Sequence, residues 1–250
     1  MSSELTQRRP EFATTHWSLV AVAQSDEASR TRAREALDQL CRAYWYPLYA
    51  FVRNRGYASA EAQDLTQSFL LRFIETRGFA AADRERGRFR TYLLGALKHF
   101  LANEWHRARM QKRGGGVTFL EWDALDAEGR YALEPAHSGD PETTFDREWA
   151  VALTRRAMNT LRAEFEASGK GALLVALQGS LTGDEPDRGE TARRLGMTEG
   201  ALKVAVHRLR QRYRELVRAE VAATVNEPSA VDDEMRHLVA VLRTAQGASL

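Results

Sequence analysis

One cysteine in 250 residues, Cys41, excludes an intrachain disulfide and any zinc cluster built on cysteine, and it fits a reducing compartment. Long apolar runs are missing too. The longest, Gly171 to Leu177, falls well short of the roughly 20 residues that cross a bilayer, and the polar start MSSELTQRRPE has no apolar core of a secretory signal. These absences predict a soluble, cytoplasmic protein with no membrane partner. No stretch alternates polar with β-branched residues, so strands are not expected. His16, His99, His106, His137, His207 and His237 show no paired metal spacing with carboxylates, and no glycine-rich phosphate loop follows a strand. No catalytic group, metal or cofactor is therefore expected, and the chain does not read as an enzyme.

What is present is helical periodicity. Apolar residues recur every three or four positions almost throughout, which predicts an all-α fold. A chain of 250 residues exceeds the usual size of one domain, so two helical domains are expected, joined by an acidic linker and followed by a short helical extension. Residues 1–30 form an N-terminal extension in which Trp17 and Leu19 are expected to pack on the first domain, 31–113. There, a stripe from Ala33 through Leu37, Leu40, Tyr44, Leu48 and Phe51 predicts a helix that Pro47 should kink or break and Gly56 should end. Ser59 with Glu61 is expected to open the next helix, with Ala62, Leu65, Phe69 and Ile74 inward. A third should run from Phe89 to Met110. Gly114, Gly115 and Gly116 then stop the pattern.

Residues 114–144 carry seven acids against the single base Arg130, a net charge of minus six, and Pro135, Gly139 and Pro141 argue against a packed element. Helices are expected to resume at Phe145 and to continue, with breaks near Gly169 and from Thr182 to Gly189, to Val225 as the second domain, 145–225. In the extension 226–250, VDDEMRHLVAVLR predicts one amphipathic helix with acids in its first turn. Its Val231, Met235, Leu238, Val239 and Leu242 must pack on something that the sequence does not name.

The densest signal is RGETARRLGMTEGALKVAVHRLRQRYRELVR, residues 188 to 218. It reads as a helix-turn-helix: Ala192 allows close approach, Gly196 makes the turn and Thr198 caps the second helix. Leu195, Met197, Leu202, Val206 and Leu209 supply the contacts that hold the two helices at an angle. Between residues 202 and 218 six bases face only Glu215, a net of plus five, which suits a helix that meets duplex phosphates. A second basic block runs from Arg84 to Arg113, nine bases against two acids, with Phe89, Tyr92, Phe100, Trp105 and His106 interleaved. Bases that follow a phosphate backbone and aromatic faces that stack on unpaired bases are how proteins hold single strands. Tyr92 and Phe100 also share core-like spacing with Leu93, Leu97 and Leu101, whereas Trp105 and His106 lie past the apolar stripe.

In this order the segments resemble the extracytoplasmic-function sigma factors of bacterial RNA polymerase. LCRAYWYPLYAFVRNRGYASAEAQDLTQSFLLRFIE is similar to the polymerase-binding helices of their first domain, FRTYLLGALKHFLANEWHRAR to the adjoining −10 segment, and ETARRLGMTEGALKVAVHRLRQRYREL to the −35-reading helix-turn-helix. The resemblance covers most of Thr31 to Val225. It implies a non-enzymatic subunit, monomeric when free, whose partners are core polymerase and promoter DNA and which directs polymerase to promoters and helps melt them. Glu61, Asp64 and Gln67, with Ser68, would meet core polymerase; Arg88, Tyr92, His99, Asn103, Trp105, His106 and Arg107 would meet the −10 element. Glu199, Lys203, His207, Arg208 and Arg210 would meet the −35 duplex.

The chain departs from the family pattern in three places. Ser68 stands where an acid is common, Ala205 where an Arg is expected, and Tyr92 and His99 replace the usual Trp and Asn. Phosphorylation of Thr66 or Ser68 by a Ser/Thr kinase would add about −1.5 to −2 charges to the thinned polymerase face; an anti-sigma partner is another expected form of control. The alternative from another class is a helix-turn-helix regulator that binds DNA as a symmetric dimer without joining polymerase.

Overall fold

The computed structural model describes residues 27–76, 88–110, 131, 140–183, 187–225 and 228–247. The expected packing of Trp17 and Leu19, and the acidic stretch from 114 to 139 apart from Tyr131, lie outside the described residues. Every element among the described residues is helical and none is a strand, as the periodicity predicts. The α-helices are α1 (Glu27–Asn54), α2 (Ser59–Glu75), α3 (Phe89–Met110), α4 (Pro141–Ala167), α5 (Gly171–Leu177), α6 (Arg188–Arg194), α7 (Glu199–Ala222) and α8 (Val231–Gly247), with 3₁₀ turns at Gln178–Leu181 and Pro228–Ala230.

α1 runs through Pro47 without a break. A proline inside a helix costs about 3 kcal/mol. Here Tyr44, Trp45, Tyr46, Leu48, Tyr49, Ala50, Phe51 and Val52 are all buried around it, and each large side chain so buried contributes about 1.5–3 kcal/mol, so packing outweighs the local penalty. The helix stops at Gly56, whose φ of 92° is open to glycine at little strain, and Arg53 Nη1 donates to the Tyr57 carbonyl at 2.6 Å across the turn. α2 opens at Ser59 with Glu61 in its first turn, as expected. The N-cap position is Ala58, which makes no side-chain cap bond, and the Ser59 hydroxyl meets the Tyr49 hydroxyl at 3.2 Å. On α2, Ala62, Thr66, Phe69, Leu70 and Phe73 are buried, with Leu65 and Ile74 packed at the margin. α3 begins at Phe89 and ends at Met110 as predicted.

The next helix starts earlier than Phe145. Asp140 caps α4 by accepting from the Thr143 N–H at 3.2 Å, and Pro141 occupies the first turn. Proline lacks an N–H that would be unbonded there in any case, so the residue read as a helix breaker is a helix start. Phe145, Trp149, Leu153, Ala157 and Leu161 form its inward stripe. α1 packs most extensively against α4, which in turn carries α7 and α8. The buried side chains from Cys41 to Leu238 thus form one continuous cluster joining the two segments read as separate domains.

Candidate nucleic-acid interface

The helix-turn-helix forms as its sequence requires. Asp187 caps α6 through the Glu190 N–H at 2.8 Å. Gly196 turns with φ of 63°, and the Met197 N–H closes on the Ala192 carbonyl at 2.9 Å. Thr198 then caps α7 through the Ala201 N–H at 3.2 Å. Ala192, Leu202 and Leu209 are buried at the contact; Leu195, Met197 and Val206 are half-buried. Glu199, Lys203 and His207 rise one turn apart on the exposed side of α7, with Arg208 beside them. A hollow of 190 Å³ lies alongside, lined by Arg188, Lys203, Val206 and His207 among others.

The other bases of α7 are partly engaged within the protein. Arg210 donates through Nε and Nη2 to the Ser180 carbonyl, at 3.1 and 3.0 Å, and so fastens the 3₁₀ turn to α7. Arg212 forms a two-pronged bond to Glu164 at 2.6 and 2.9 Å and a third to Glu215 at 3.1 Å; the first of these holds the Glu164 carboxyl below its ordinary range. Arg218 reaches Asp232 of α8 at 2.5 Å. All six bases of α7 are exposed, and among the described residues Lys203, Arg208 and Arg214 are the three not drawn into such bonds.

Along α3 the expected nucleic-acid residues divide. Tyr92, His99, Asn103 and His106 fall on one side of the helix by the 3.6-residue repeat, and all but Tyr92 are exposed. Tyr92 is half-buried against Phe73, with ring centroids 5.9 Å apart, and burial raises its phenol pKa. Phe89 and Phe100 are core residues. Trp105 is 50 % exposed and meets His106 edge-on at 5.1 Å. Both line an open hollow of 540 Å³ with Arg55, Tyr57, Glu61 and Lys98, residues drawn from the α1–α2 turn, α2 and α3 that carry no shared local motif. Lys98 is also paired with Glu142 at the start of α4. Arg88 is not open: its Nε is ion-paired with Glu234 of α8 at 2.9 Å. The side chain of Arg107 lies outside the described residues.

On α2, Glu61 and Asp64 are exposed and Gln67 and Ser68 half-buried. Thr66 does not share that face. It is 0 % exposed, and its Oγ1 donates to the Ala62 carbonyl at 2.7 Å, so of the two hydroxyls considered for phosphorylation only that of Ser68 reaches the surface. Among the described residues no group of three or more His, Cys, Asp or Glu side chains is placed to hold a metal ion, and no helix is long and apolar enough to cross a membrane. No family model, curated protein or solved structure matches this chain.

Proposed function

We propose that this chain is a sigma factor that joins core RNA polymerase and directs it to a class of promoters. The observation that carries the reading is the outward face of α7, where Glu199, Lys203, His207 and Arg208 stand exposed just after a glycine turn whose φ is 63°. Side chains at the start of the second helix of such a unit are those that reach base edges in the major groove, while flanking bases meet phosphates. A second observation supports it: His99, Asn103, Trp105 and His106 are exposed at the far end of α3, where an aromatic face and basic neighbours suit unpaired bases. The protein supplies no catalytic group in this role; it recognises DNA and offsets the few kcal/mol lost when a base leaves the stack.

Under this reading residues 31–113 hold polymerase through the Glu61, Asp64 and Ser68 side of α2 and the −10 element through α3, and residues 145–225 take the −35 duplex. Run-off transcription from a genomic library, with purified core polymerase and with or without this protein, tests it. New start sites that require the protein support the proposal and deliver the promoter sequence. A dimer that binds duplex DNA but is not retained on core polymerase would replace it with the symmetric regulator.

A further inference from the structure

The start of α3 and the C-terminal helix are joined by a compact ion cluster that no local pattern announces. Glu234, 2 % exposed at its side chain, accepts Arg90 Nε on Oε1 at 2.6 Å and faces Arg88 Nε with Oε2 at 2.9 Å. From α4, Asp146 takes Arg90 Nη1 at 2.5 Å through Oδ1 and meets His237 Nε2 at 3.0 Å through Oδ2. The Arg90 guanidinium lies over the Trp149 ring at 5.1 Å. Around this cluster Val231 and Leu238 are buried and seat α8 on α4 and α7.

We propose that α8 is an intramolecular lock, in which Glu234 occupies Arg88 and Arg90 and withholds them from nucleic-acid phosphate. A carboxylate presents the same kind of anionic oxygens to a guanidinium as a phosphate does, and it takes the same charge-assisted N–H bonds. Glu234 and a phosphate backbone therefore compete for the Arg90 Nε donor and for the charge of Arg88, which is ion-paired to Glu234. Asp146 and Trp149 also hold Arg90, from α4, so full release of Arg90 needs those contacts to part as well. The lock rests on the proposed role of residues 88–107 in nucleic-acid contact.

The test uses the full-length protein and a labelled single-stranded oligonucleotide, titrated by fluorescence anisotropy at several salt concentrations. Glu234→Gln keeps the shape of the side chain and removes its charge. It is expected to bind the strand several-fold more tightly, with a plot of log affinity against log salt steeper by about 0.7 for each arginine released. Asp232→Asn, which removes only the outer pair to Arg218, should behave as the unaltered protein. Adding Arg90→Gln to Glu234→Gln should abolish most of the gain; Arg88→Gln, at a more exposed position, serves where that double variant loses helicity. Unchanged affinity and slope in Glu234→Gln overturn the lock, as does a gain that survives loss of both arginines. Retention on core polymerase is measured in parallel and is independent of the lock: if it is absent, the sigma reading fails while a strand-affinity gain in Glu234→Gln still upholds the lock.

Discussion

Thr66 and Ser68 stand two positions apart on α2, and a helix turns about 200° over that distance, so one hydroxyl is bonded inside and the other is half-exposed. The difference bears on the phosphorylation considered from the sequence. A charge forced into the site of Thr66 must be desolvated without a partner, so Thr66→Glu is expected to lower stability by at least about 3 kcal/mol, roughly 6–12 °C in Tm for a chain of this size. Ser68→Glu should leave Tm nearly unchanged. Thermal unfolding followed by circular dichroism separates the two, and a small shift in Thr66→Glu would show that the buried hydroxyl can turn outward at little cost. Cys41 is a second residue whose behaviour follows from burial: desolvation, and after it the charge of Asp38, pushes its thiol from an ordinary 9.0 to about 12. A raised pKa contributes stability that is present below the unfolded value, near 9.0, and is lost as pH climbs through about 12. The folded protein should therefore resist thiol reagents at neutral pH, and labelling should track unfolding. Replacing Cys41 with Ala should flatten the alkaline end of the stability profile in urea titrations between pH 8 and 11, a range bracketing the ordinary thiol value; an unchanged profile would discount the thiol.

At the scale of single elements, α6, its turn and α7 were legible from residues 188–218 because every requirement is local. Gly196 needs a positive φ, Thr198 reaches an N–H three residues on, and Ala192 is small where helices touch. A Cβ at Gly196 would meet nothing within 4 Å, so Gly196→Ala isolates the backbone cost and should destabilise by about 1–2 kcal/mol in urea unfolding. A loss within 0.3 kcal/mol would mean the turn adopts another conformation. Roles along α7 were less legible. Arg210 has the same local appearance as Arg208, yet it is bonded to the Ser180 carbonyl 30 positions away. Arg210→Ala should cost about 1.5–3 kcal/mol of stability for that charged hydrogen bond. Lys203→Ala should stay within about 0.5 kcal/mol and instead reduce the salt slope of duplex binding by about 0.9, the value of one phosphate contact. If the two variants exchange these phenotypes, the assignment of Arg210 to packing is wrong. Pro47 and Pro141 show the opposite limit: the same residue type continues one helix and starts another, because burial around the first and a free first turn at the second decide what proline does.

For the whole molecule, the ion cluster at Glu234 links residues separated by 144 positions. Breaking such a pair by removing one partner typically costs about 3–5 kcal/mol, whereas replacing both by apolar residues of similar size is often neutral. Arg90→Met should accordingly speed hydrogen exchange along α8, and Arg90→Met with Glu234→Leu should restore most of the protection; additive loss in the double variant would argue that Arg90 is held mainly by Asp146 and Trp149. The shared core has a consequence for the proposed function. Promoter elements named −10 and −35 lie about 25 base pairs apart, about 85 Å at 3.4 Å per step, while α7 with its 24 residues is about 36 Å long. Under the proposed function, a protein reading both would part its α1–α4 contact on DNA, and the form with α8 seated would be the resting one.

Local chemistry was enough to derive the all-α class, the ends of α3, the turn of the helix-turn-helix and the exposure of Trp105 and His106 from sequence, because periodicity, caps and glycine turns act within a few residues of where they are written. Tertiary structure decided what periodicity cannot carry: that Phe89 is core, that Arg210 is bonded to the Ser180 carbonyl while Lys203 projects, and that α8 packs on α4 and α7 with Glu234 reaching back to α3. A charged residue looks the same in sequence whether it faces water or a buried partner. Only the fold brings the partner, and with it the balance between desolvation and pairing that determines which of the two it does.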